Sequence, residues 1–306
     1  MSVRWGLSAT LLADPEDILR FAAYHAALGA HRLYLYLDDP GSAAYDRLKA
    51  HPTVRVTRCD AAHWDTLAGR RPAKHQVRQC LNATHAYTRR AEVDWMIHID
   101  VDEFLVPQAT TIADALAQAK GDAVRARPME LLADGDGTAF KAFIPPGPQR
   151  QQIVRALYPT YGHALRGGFL SHVAGKVFVR TGLGPLDIRI HDVFGDGAQR
   201  VTARDSNKIA LAHCHARTWS EWSQHFAYRL ERGAYRAELK PAPHATVSLH
   251  ALLSEIAASD GEVGLHAFFD EVIADTASLR GRLEAHGLLR HVALGLDAHR
   301  AAEFTE

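Results

Sequence analysis

Three acidic residues directly follow an apolar run in the stretch DWMIHIDVDEFLVP, residues 94–107. A buried carboxylate is unfavourable unless it is paired or binds a metal ion. Residues two apart on a strand point to the same face, so Asp100 and Asp102 can converge on one divalent cation where the strand ends. Oxygen ligands suit Mn²⁺ or Mg²⁺, and such an ion also binds phosphate oxygens. The competing interpretation is a solvated acidic turn.

Other residues that could complete such a site also lie next to apolar runs. His191 and His213 each follow one, and either could be a further metal ligand, although most histidines are core or surface residues. His213-Cys214-His215 also resembles a soft-metal pair, but the two histidines are alternate residues at strand spacing and no further Cys/His cluster is nearby, which argues against zinc. Lys176, in GKVFVR, could neutralise a diphosphate or lie solvated at a strand edge.

The elements that must position these residues alternate between strand and helix along the first half of the chain. Strands are predicted from Val3 to Leu12 and at 32–37, 54–57 and 95–99. The helix between the first two is predicted from its N-cap Asp14 and from Pro15 in its first turn. Further helices are predicted at 42–50 and 74–90. This order predicts an α/β fold with a mostly parallel central sheet flanked by helices.

Ligands of open α/β sheets bind beyond the carboxyl ends of the strands. Both Asp38-Asp39 and Asp100-Val101-Asp102 follow such ends, so the sequence predicts that two acidic strand ends face one crevice. Later strands are predicted at 175–180, 188–191 and 209–213, and a helix at 220–232. From Val247 onward the chain is predicted to be mainly helical. We therefore predict a catalytic domain at 1–240 and a helical C-terminal extension at 241–306, divided near the Pro-Ala-Pro at 241–243.

Composition and charge exclude several classes of function. The 306 residues are 47% apolar and 23% charged, which is typical of globular proteins. The formal net charge is zero, so no global field favours nucleic acid or an anionic membrane. Three widely spaced cysteines, no signal-peptide pattern and no long apolar run predict a cytoplasmic protein without a transmembrane segment. The sequence contains no GxGxxG, P-loop or GxSxG motif.

Four stretches in order resemble bacterial family-2-like glycosyltransferases of the glycosyltransferase-A fold and their relatives among the family-92-type enzymes. The first is DPEDILRFAAYHAALGAHRLYLYLDD, and the most specific is WMIHIDVDEFLVP. GKVFVR followed by His191 is similar to a Lys-x-x-x-Arg strand with a later His. HCHARTWSEW with Arg232-Gly233 is similar to a His-Tyr-x-x-Lys-Ser segment. This sequence departs from the family pattern at Asp14, where Asn is usual, and at Cys214, Arg217 and Thr218.

The resemblance implies a hexosyltransferase-type enzyme that transfers a sugar from a nucleotide diphosphate sugar, with uridine diphosphate favoured, to a glycan or glycolipid hydroxyl. Such reactions serve polysaccharide biosynthesis. Asp100 and Asp102 would hold Mn²⁺ or Mg²⁺, with His191 or His213 completing its ligands, and Lys176 would support the diphosphate. Glu103 is interpreted as a supporting residue. The nucleotide-sugar contacts would be Glu16, Asp38, Asp39, Arg78, Asn82, Asp100 and Lys176. Asp192 and Glu130 are the candidates for a general base.

Two other functions stay open at this point. Departures from the family pattern favour a catalytically degenerate protein that binds nucleotide sugars. Acidic strand ends would also suit a nucleotidyltransferase or a diphosphate hydrolase, although the acidic LLADPED lies where nucleotidyltransferases carry a basic, glycine-rich loop. The C-terminal helices could cap the domain, form a homo-oligomer contact or touch a membrane peripherally.

Overall fold

The computed structural model describes residues 2–89, 92–239 and 247–304. The chain divides into two compact units. The first contains residues 1–127, 174–211 and 294–306, and the second contains 128–173 and 212–293. The predicted Pro-Ala-Pro boundary at 241–243 lies outside the described residues.

Strands occur throughout the chain. In chain order they are β1 (Trp5–Leu11), β2 (Arg32–Leu37), β3 (Val54–Arg58), β4 (Trp95–His98), β5 (Glu103–Pro107), β6 (Ala123–Leu131), β7 (Ala139–Lys141), β8 (Lys176–Arg180), β9 (Asp187–Ile188), β10 (Val193–Phe194), β11 (Arg204–His213) and β12 (Leu289–His291).

Helices connect most of these strands. In chain order they are α1 (Pro15–Ala27), α2 (Tyr45–Ala50), α3 (Ala61–Ala68), α4 (His75–Thr88), α5 (Ile112–Ala117), α6 (Arg150–Leu157), α7 (Trp219–Gln224), α8 (Phe226–Glu231), α9 (Leu249–Ser259), α10 (Gly261–Val272), α11 (Ala277–Ala285) and α12 (Leu296–Glu303).

The sheet of the first unit is mixed, whereas the sequence predicted a mostly parallel one. Its strands run in the order β6–β8–β4–β1–β2–β3. Four neighbouring strands are parallel, as predicted, namely β4, β1, β2 and β3. Helical crossovers return the chain to the same end of the sheet before each of the later strands begins. Strands β8 and β6 extend the sheet in antiparallel pairing. The α/β class is therefore confirmed, and the parallel arrangement applies to one part of the sheet.

Residue types explain the first elements of this unit. Asp14 caps α1 by accepting a hydrogen bond from the Glu16 amide at 2.9 Å, and Pro15 occupies the first helical turn. All seven residues of β1 are buried, as expected for a central strand covered on both faces. Two further elements differ from prediction, since α2 is shorter than expected and the unpredicted α3 begins at the N-cap Asp60.

Helix α12 packs on α1 within the first unit. Arg300 and Asp297 form ion pairs with Glu16 and Arg20, each at 2.7 Å. The rings of Tyr24 and His299 meet edge to face at 5.5 Å. The segment from residue 294 therefore completes the unit to which the first helix belongs.

The second unit has its own apolar core, in which Trp222, Phe268 and Phe269 are fully buried. Its strand pairs are antiparallel: the end of β6 with β7, and β7 with β12. The helix predicted at 220–232 is divided at His225 into α7 and α8. Helices dominate after Val247 as predicted, with β12 as an unpredicted strand.

Among the described residues, no helix combines the length and the apolar character needed to cross a bilayer.

Candidate functional site

Asp100 and Asp102 lie in the connection between β4 and β5. Strand β4 ends at His98, and β5 begins at Glu103, so the two aspartates occupy a short turn. The alternation of strand side chains, from which the sequence argument started, therefore does not apply to them. Both are partly exposed, whereas the strands on either side are buried.

A buried lysine compensates the charge of this turn. The Nζ of Lys176 lies 2.7 Å from the Asp100 carboxylate and 3.2 Å from that of Glu103. Although burial opposes the charged form of Lys176, the two carboxylates raise its pKa well above the usual range. Glu103 is fully buried and also accepts a hydrogen bond from the Asp100 amide at 2.8 Å. Its predicted supporting role agrees with these contacts.

The antiparallel pairing of β8 with β4 brings Lys176 to this position. Ile97 faces Phe178 in the register, so the first residue of β8 lies beyond the carboxyl end of β4. Gly175, with φ of 73°, precedes it, and a Cβ there would collide with the carbonyl oxygen of Ala126. Gly175 thus allows a close contact between its backbone and that of Ala126, and Lys176 places a buried cation at the start of β8.

Gln79 is a site residue whose role sequence reasoning missed. It was not among the predicted site residues, but it is buried on α4, and its side-chain amide donates a hydrogen bond to Asp100. Helix α4 packs on β1, which turns this polar face inward. The signal available in the sequence was its place beside Arg78 and Asn82, two polar residues of the same helix that were predicted to contact the nucleotide.

Asp38, at the carboxyl end of β2, is held by basic side chains of the α3–α4 region. Arg78 binds both of its carboxylate oxygens, at 2.9 and 2.7 Å, and Arg71 binds one at 3.0 Å. His75 lies 3.4 Å away. Burial alone would raise the pKa of Asp38, but the hydrogen bonds from His75, Arg78 and Arg71 outweigh it and hold the pKa well below its usual range. Two predicted nucleotide contacts, Asp38 and Arg78, are therefore bound to each other.

Asn82 is fully buried one helical turn beyond Arg78. Its amide nitrogen donates to the Thr10 hydroxyl at 3.0 Å, and its oxygen lies 2.8 Å from Nε2 of His63. These bonds tie α4 to the end of β1 and to α3. Thr10 and His63 were not among the predicted site residues, since their contacts join segments far apart in the sequence.

The remaining predicted nucleotide contacts, Asp39 and Glu16, are more exposed. Asp39 accepts a hydrogen bond from the Gly41 amide at 2.9 Å, which shapes the turn after β2. Glu16 lies between Arg300 and Arg47, at 2.7 and 3.3 Å. The hydrogen bond from Arg300 is the main cause of a lowered Glu16 pKa.

The predicted histidines lie in different units. His191, in the first unit, has its Nδ1 3.0 Å from the carbonyl oxygen of Gly175. Because a carbonyl oxygen can only accept, Nδ1 carries the proton and Nε2 carries the lone pair. Metal-binding histidines typically have this arrangement. His213 is buried at the end of β11 in the second unit.

Both candidates for a general base are engaged in ion pairs. Asp192, in the first unit, accepts hydrogen bonds from Arg125 and Arg200, each at 2.6 Å. These bonds lower its pKa, although burial opposes the shift. Glu130, in the second unit, is buried and lies 2.7 Å from Nζ of the equally buried Lys141. A catalytic role for either carboxylate stays a prediction.

The Glu130–Lys141 pair predicts an acid-dependent loss of stability. Burial raises the pKa of Glu130, but Lys141 outweighs it and lowers the pKa to about 2. Because the folded pKa lies below the unfolded one, the contribution is complete above about pH 4.5 and disappears as pH falls toward 2. We expect the free energy of unfolding to drop by roughly 3 kcal/mol more over this range in the wild type than in the double variant Glu130→Gln with Lys141→Met.

Urea unfolding at several pH values measures this difference. Glu255→Gln, which changes an exposed glutamate of α9, is the matched control and should keep the wild-type pH dependence. Equal pH dependence in the wild type and the double variant would contradict the assignment.

The predicted metal ligands of the first unit have donor types that a divalent cation accepts, and their role as ligands stays a prediction. Asp100 and Asp102 offer carboxylate oxygens, and His191 offers an imidazole whose other nitrogen is already bonded. Lys176 reduces the negative charge at Asp100, but the three acids Asp100, Asp102 and Glu103 still exceed the one lysine in charge. Carboxylates with an imidazole suit Mn²⁺ in particular.

Acidic and basic side chains are thus gathered at one edge of the first unit's sheet, where the parallel strands end. This arrangement is suited to binding a phosphorylated ligand together with a cation. Residues 12–130 match the family model of glycosyltransferase family 92, and the match supports a family-92-type glycosyltransferase. The resemblance seen in the sequence motifs is confirmed over this segment, which includes both acidic strand ends.

Other comparisons are less informative. No curated protein matches the chain. Among solved structures, HddC from Yersinia pseudotuberculosis is 13% identical, with a TM-score of 0.37, over 69% of this chain and 93% of that chain. A mycobacterial protein is 14% identical, with a TM-score of 0.32, over 80% of this chain and 82% of that chain. Likenesses at these TM-scores carry no conclusion about function.

Proposed function

We propose that the protein is a metal-dependent glycosyltransferase of the glycosyltransferase-A type. It transfers a hexosyl group from a nucleotide diphosphate sugar, with uridine diphosphate favoured, to a hydroxyl of a glycan or glycolipid. The observation that carries the proposal is the match of residues 12–130 to glycosyltransferase family 92. The acidic turn at Asp100 and Asp102 lies within the matched segment.

The contacts of the first unit support a donor site at the carboxyl ends of β1, β2 and β4. These strands are parallel neighbours, so their ends share one edge of the sheet. Asp38 and Asp100 follow two of those ends, and each is fixed by a buried cationic side chain. Fixed carboxylates are favourable in a binding site because no ordering cost remains when the ligand arrives.

A cation bound at Asp100 and Asp102, with His191 as a further ligand, would offset the charge of the leaving nucleoside diphosphate. Mn²⁺ or Mg²⁺ has the required preference for oxygen ligands. Lys176 would act through Asp100, whose carboxylate it holds, and thereby fix one ligand of the cation. In this proposal Gln79 has the same positioning role from α4.

Arg71 is the residue of the Asp38 cluster best suited to meet a nucleotide. Half of its side chain is exposed, whereas Arg78 is almost fully buried beneath it. Arg78 fixes the Asp38 carboxylate, and this carboxylate in turn holds the guanidinium group of Arg71. An arginine held in this way can bind a phosphate or stack on a base.

Thermal unfolding with a panel of nucleoside diphosphates and nucleotide sugars tests the proposal. Each is measured with Mn²⁺, with Mg²⁺ and with chelator. A ligand at a hundred times its dissociation constant stabilises the folded protein by about 2.7 kcal/mol, which raises the melting temperature by about 4 °C for a chain of this size. We expect a metal-dependent rise with one nucleotide base.

The matched control pair is Asp102→Asn and Asp46→Asn. Asp46 is exposed in the first turn of α2, so its replacement should leave the ligand-dependent rise unchanged, whereas Asp102→Asn should remove it. No rise with any nucleotide in the presence of metal would count against a donor site at this turn.

A further inference from the structure

The strand order of the first unit indicates where its ligand crevice lies. Strand β1 has β2 on one side and β4 on the other, and all three are parallel. The chain therefore moves to one side of β1 to form β2 and β3, and returns to the opposite side to form β4. Open α/β sheets bind ligands at such a reversal, beyond the carboxyl ends of the strands. The segment that leads from β1 into α1 therefore borders the crevice.

Glu16 lies in the first turn of α1, directly after this segment. Nearly half of its side chain is exposed, so its carboxylate is able to meet a ligand. It is also one of the predicted nucleotide contacts. A long side chain that is ordered only when the ligand arrives lowers the affinity, because its conformational freedom is lost on binding. The groups that hold Glu16 beforehand therefore influence how tightly a ligand binds.

Two arginines hold the Glu16 carboxylate, one at each oxygen. Nε of Arg300 lies 2.7 Å from Oε2, and Nη1 of Arg47 lies 3.3 Å from Oε1. The contact with Arg300 is the shorter one, and its hydrogen bond is the main cause of the lowered Glu16 pKa. A carboxylate has roughly four lone-pair sites. Two hydrogen bonds from arginine therefore leave acceptor capacity for a ligand.

The C-terminal helix α12 delivers Arg300 in its last turn, and this turn is anchored on α2 as well as on α1. The Arg47 guanidinium donates a hydrogen bond to the carbonyl oxygen of Phe304 at 2.8 Å and lies over the Phe304 ring at 6.0 Å. Nε2 of His51 lies 3.0 Å from the Glu303 carboxylate. Arg300 is thus presented to Glu16 from a fixed helix end.

We propose that Arg300 is a positioning residue of the nucleotide-sugar site, which holds the Glu16 carboxylate at the crevice beside β1. Nucleotide affinity then depends on the C-terminal helix, although Arg300 acts through Glu16 and not on the ligand itself. The inference rests on the proposed transferase function. It adds to that function a residue from outside the segment 12–130 that matches the glycosyltransferase family.

A second ion pair between the same two helices offers a matched control. Arg20 and Asp297 are also 2.7 Å apart. Arg20 lies about one helical turn beyond Glu16 on α1, farther from the carboxyl end of β1. Asp297→Asn therefore weakens a comparable contact between α1 and α12 and leaves Glu16 in place. If α12 acted only by packing on α1, Asp297→Asn and Arg300→Gln would have the same effect.

Calorimetric titration of the full-length protein with uridine diphosphate in the presence of Mn²⁺ tests the inference, with guanosine diphosphate as the second probe. We expect Arg300→Gln to weaken binding by about three- to ten-fold, the factor that corresponds to ordering one long side chain. Asp297→Asn should bind like the wild type. Arg300→Lys keeps the charge but lacks the planar guanidinium, so its affinity should be intermediate.

A double-variant cycle separates positioning through Glu16 from other effects of Arg300. Glu16→Gln is expected to weaken binding on its own. Because Arg300 acts through Glu16, adding Arg300→Gln to Glu16→Gln should lower the affinity by no more than about two-fold. Two losses that add in full would show that Arg300 acts independently of Glu16 and would overturn the positioning role.

Thermal unfolding without nucleotide verifies that each variant is folded, and Arg300→Lys replaces Arg300→Gln in the cycle if the latter is unstable. Unchanged affinity in the Arg300 variants, or an equal loss in Asp297→Asn, would overturn the inference and leave the transferase proposal standing. If the wild type binds neither nucleotide, the result counts against the transferase proposal and overturns this inference with it.

Discussion

Replacing Lys176 by methionine is expected to lower the free energy of unfolding by about 3–5 kcal/mol. The substitution keeps most of the side-chain volume but leaves the fully buried Glu103 and the partly buried Asp100 without their shared cation. Most of this loss in stability comes from leaving a buried charge without a partner, and the loss of the ion pair itself contributes less. Urea unfolding monitored by circular dichroism measures the difference.

Lys120→Met is the matched control, because Lys120 is exposed in the same unit and should tolerate the change within about 0.5 kcal/mol. Adding Glu103→Gln to Lys176→Met should recover part of the loss, since the neutral amide removes the buried negative charge. If Lys176→Met unfolds like the wild type, the lysine does not compensate these carboxylates in solution.

Replacing Asp102 by asparagine is expected to reduce release of nucleoside diphosphate from the donor sugar by at least about a hundred-fold. Asparagine retains the shape and one oxygen but loses the charge that binds a cation. A metal contribution of about 3 kcal/mol to transition-state stabilisation corresponds to this factor. The donor is the nucleotide sugar that gives the largest thermal stabilisation.

Turnover measured across a Mn²⁺ series separates a metal role from a general defect. A weakened ligand set should need more Mn²⁺ for half-maximal rate, whereas a folding defect would lower the rate equally at all concentrations. Asp46→Asn again serves as the control with unchanged turnover. Wild-type turnover in Asp102→Asn would remove Asp102 from the proposed metal site.

The sequence predicted the local elements of the first unit well, because their signals are local. Asp14 and Pro15 define the start of α1, and the β-rich run at 32–37 followed by an acidic turn defines β2. The run before Asp100 likewise forms β4. In contrast, β6 was not predicted, since AVRARPMEL contains a proline and three charged residues. Arg125 in this strand is buried where the Asp192 carboxylate and the carbonyl oxygens of Ala174 and His191, all far along the chain, accept its hydrogen bonds.

The sequence identified candidate residues of the site but not the side chains that they contact. Asp38 and Arg78 were both named as nucleotide contacts, yet their mutual ion pair depends on how α4 packs. Lys176 could not be distinguished from a solvated cation, because its burial follows from the antiparallel placement of β8 beside β4.

The return of α12 to α1 has a consequence for synthesis at the ribosome. The helix that begins at Pro15 acquires this partner only after residues 294–304 have been translated, and Arg300 lies 284 positions after Glu16 in the sequence. Until then α12 does not cover the α1 surface around Tyr24, although every segment of the second unit has already been translated. Contacts this distant in sequence are slow to form. The contacts of the first unit therefore become complete only after every segment of the second unit has been translated.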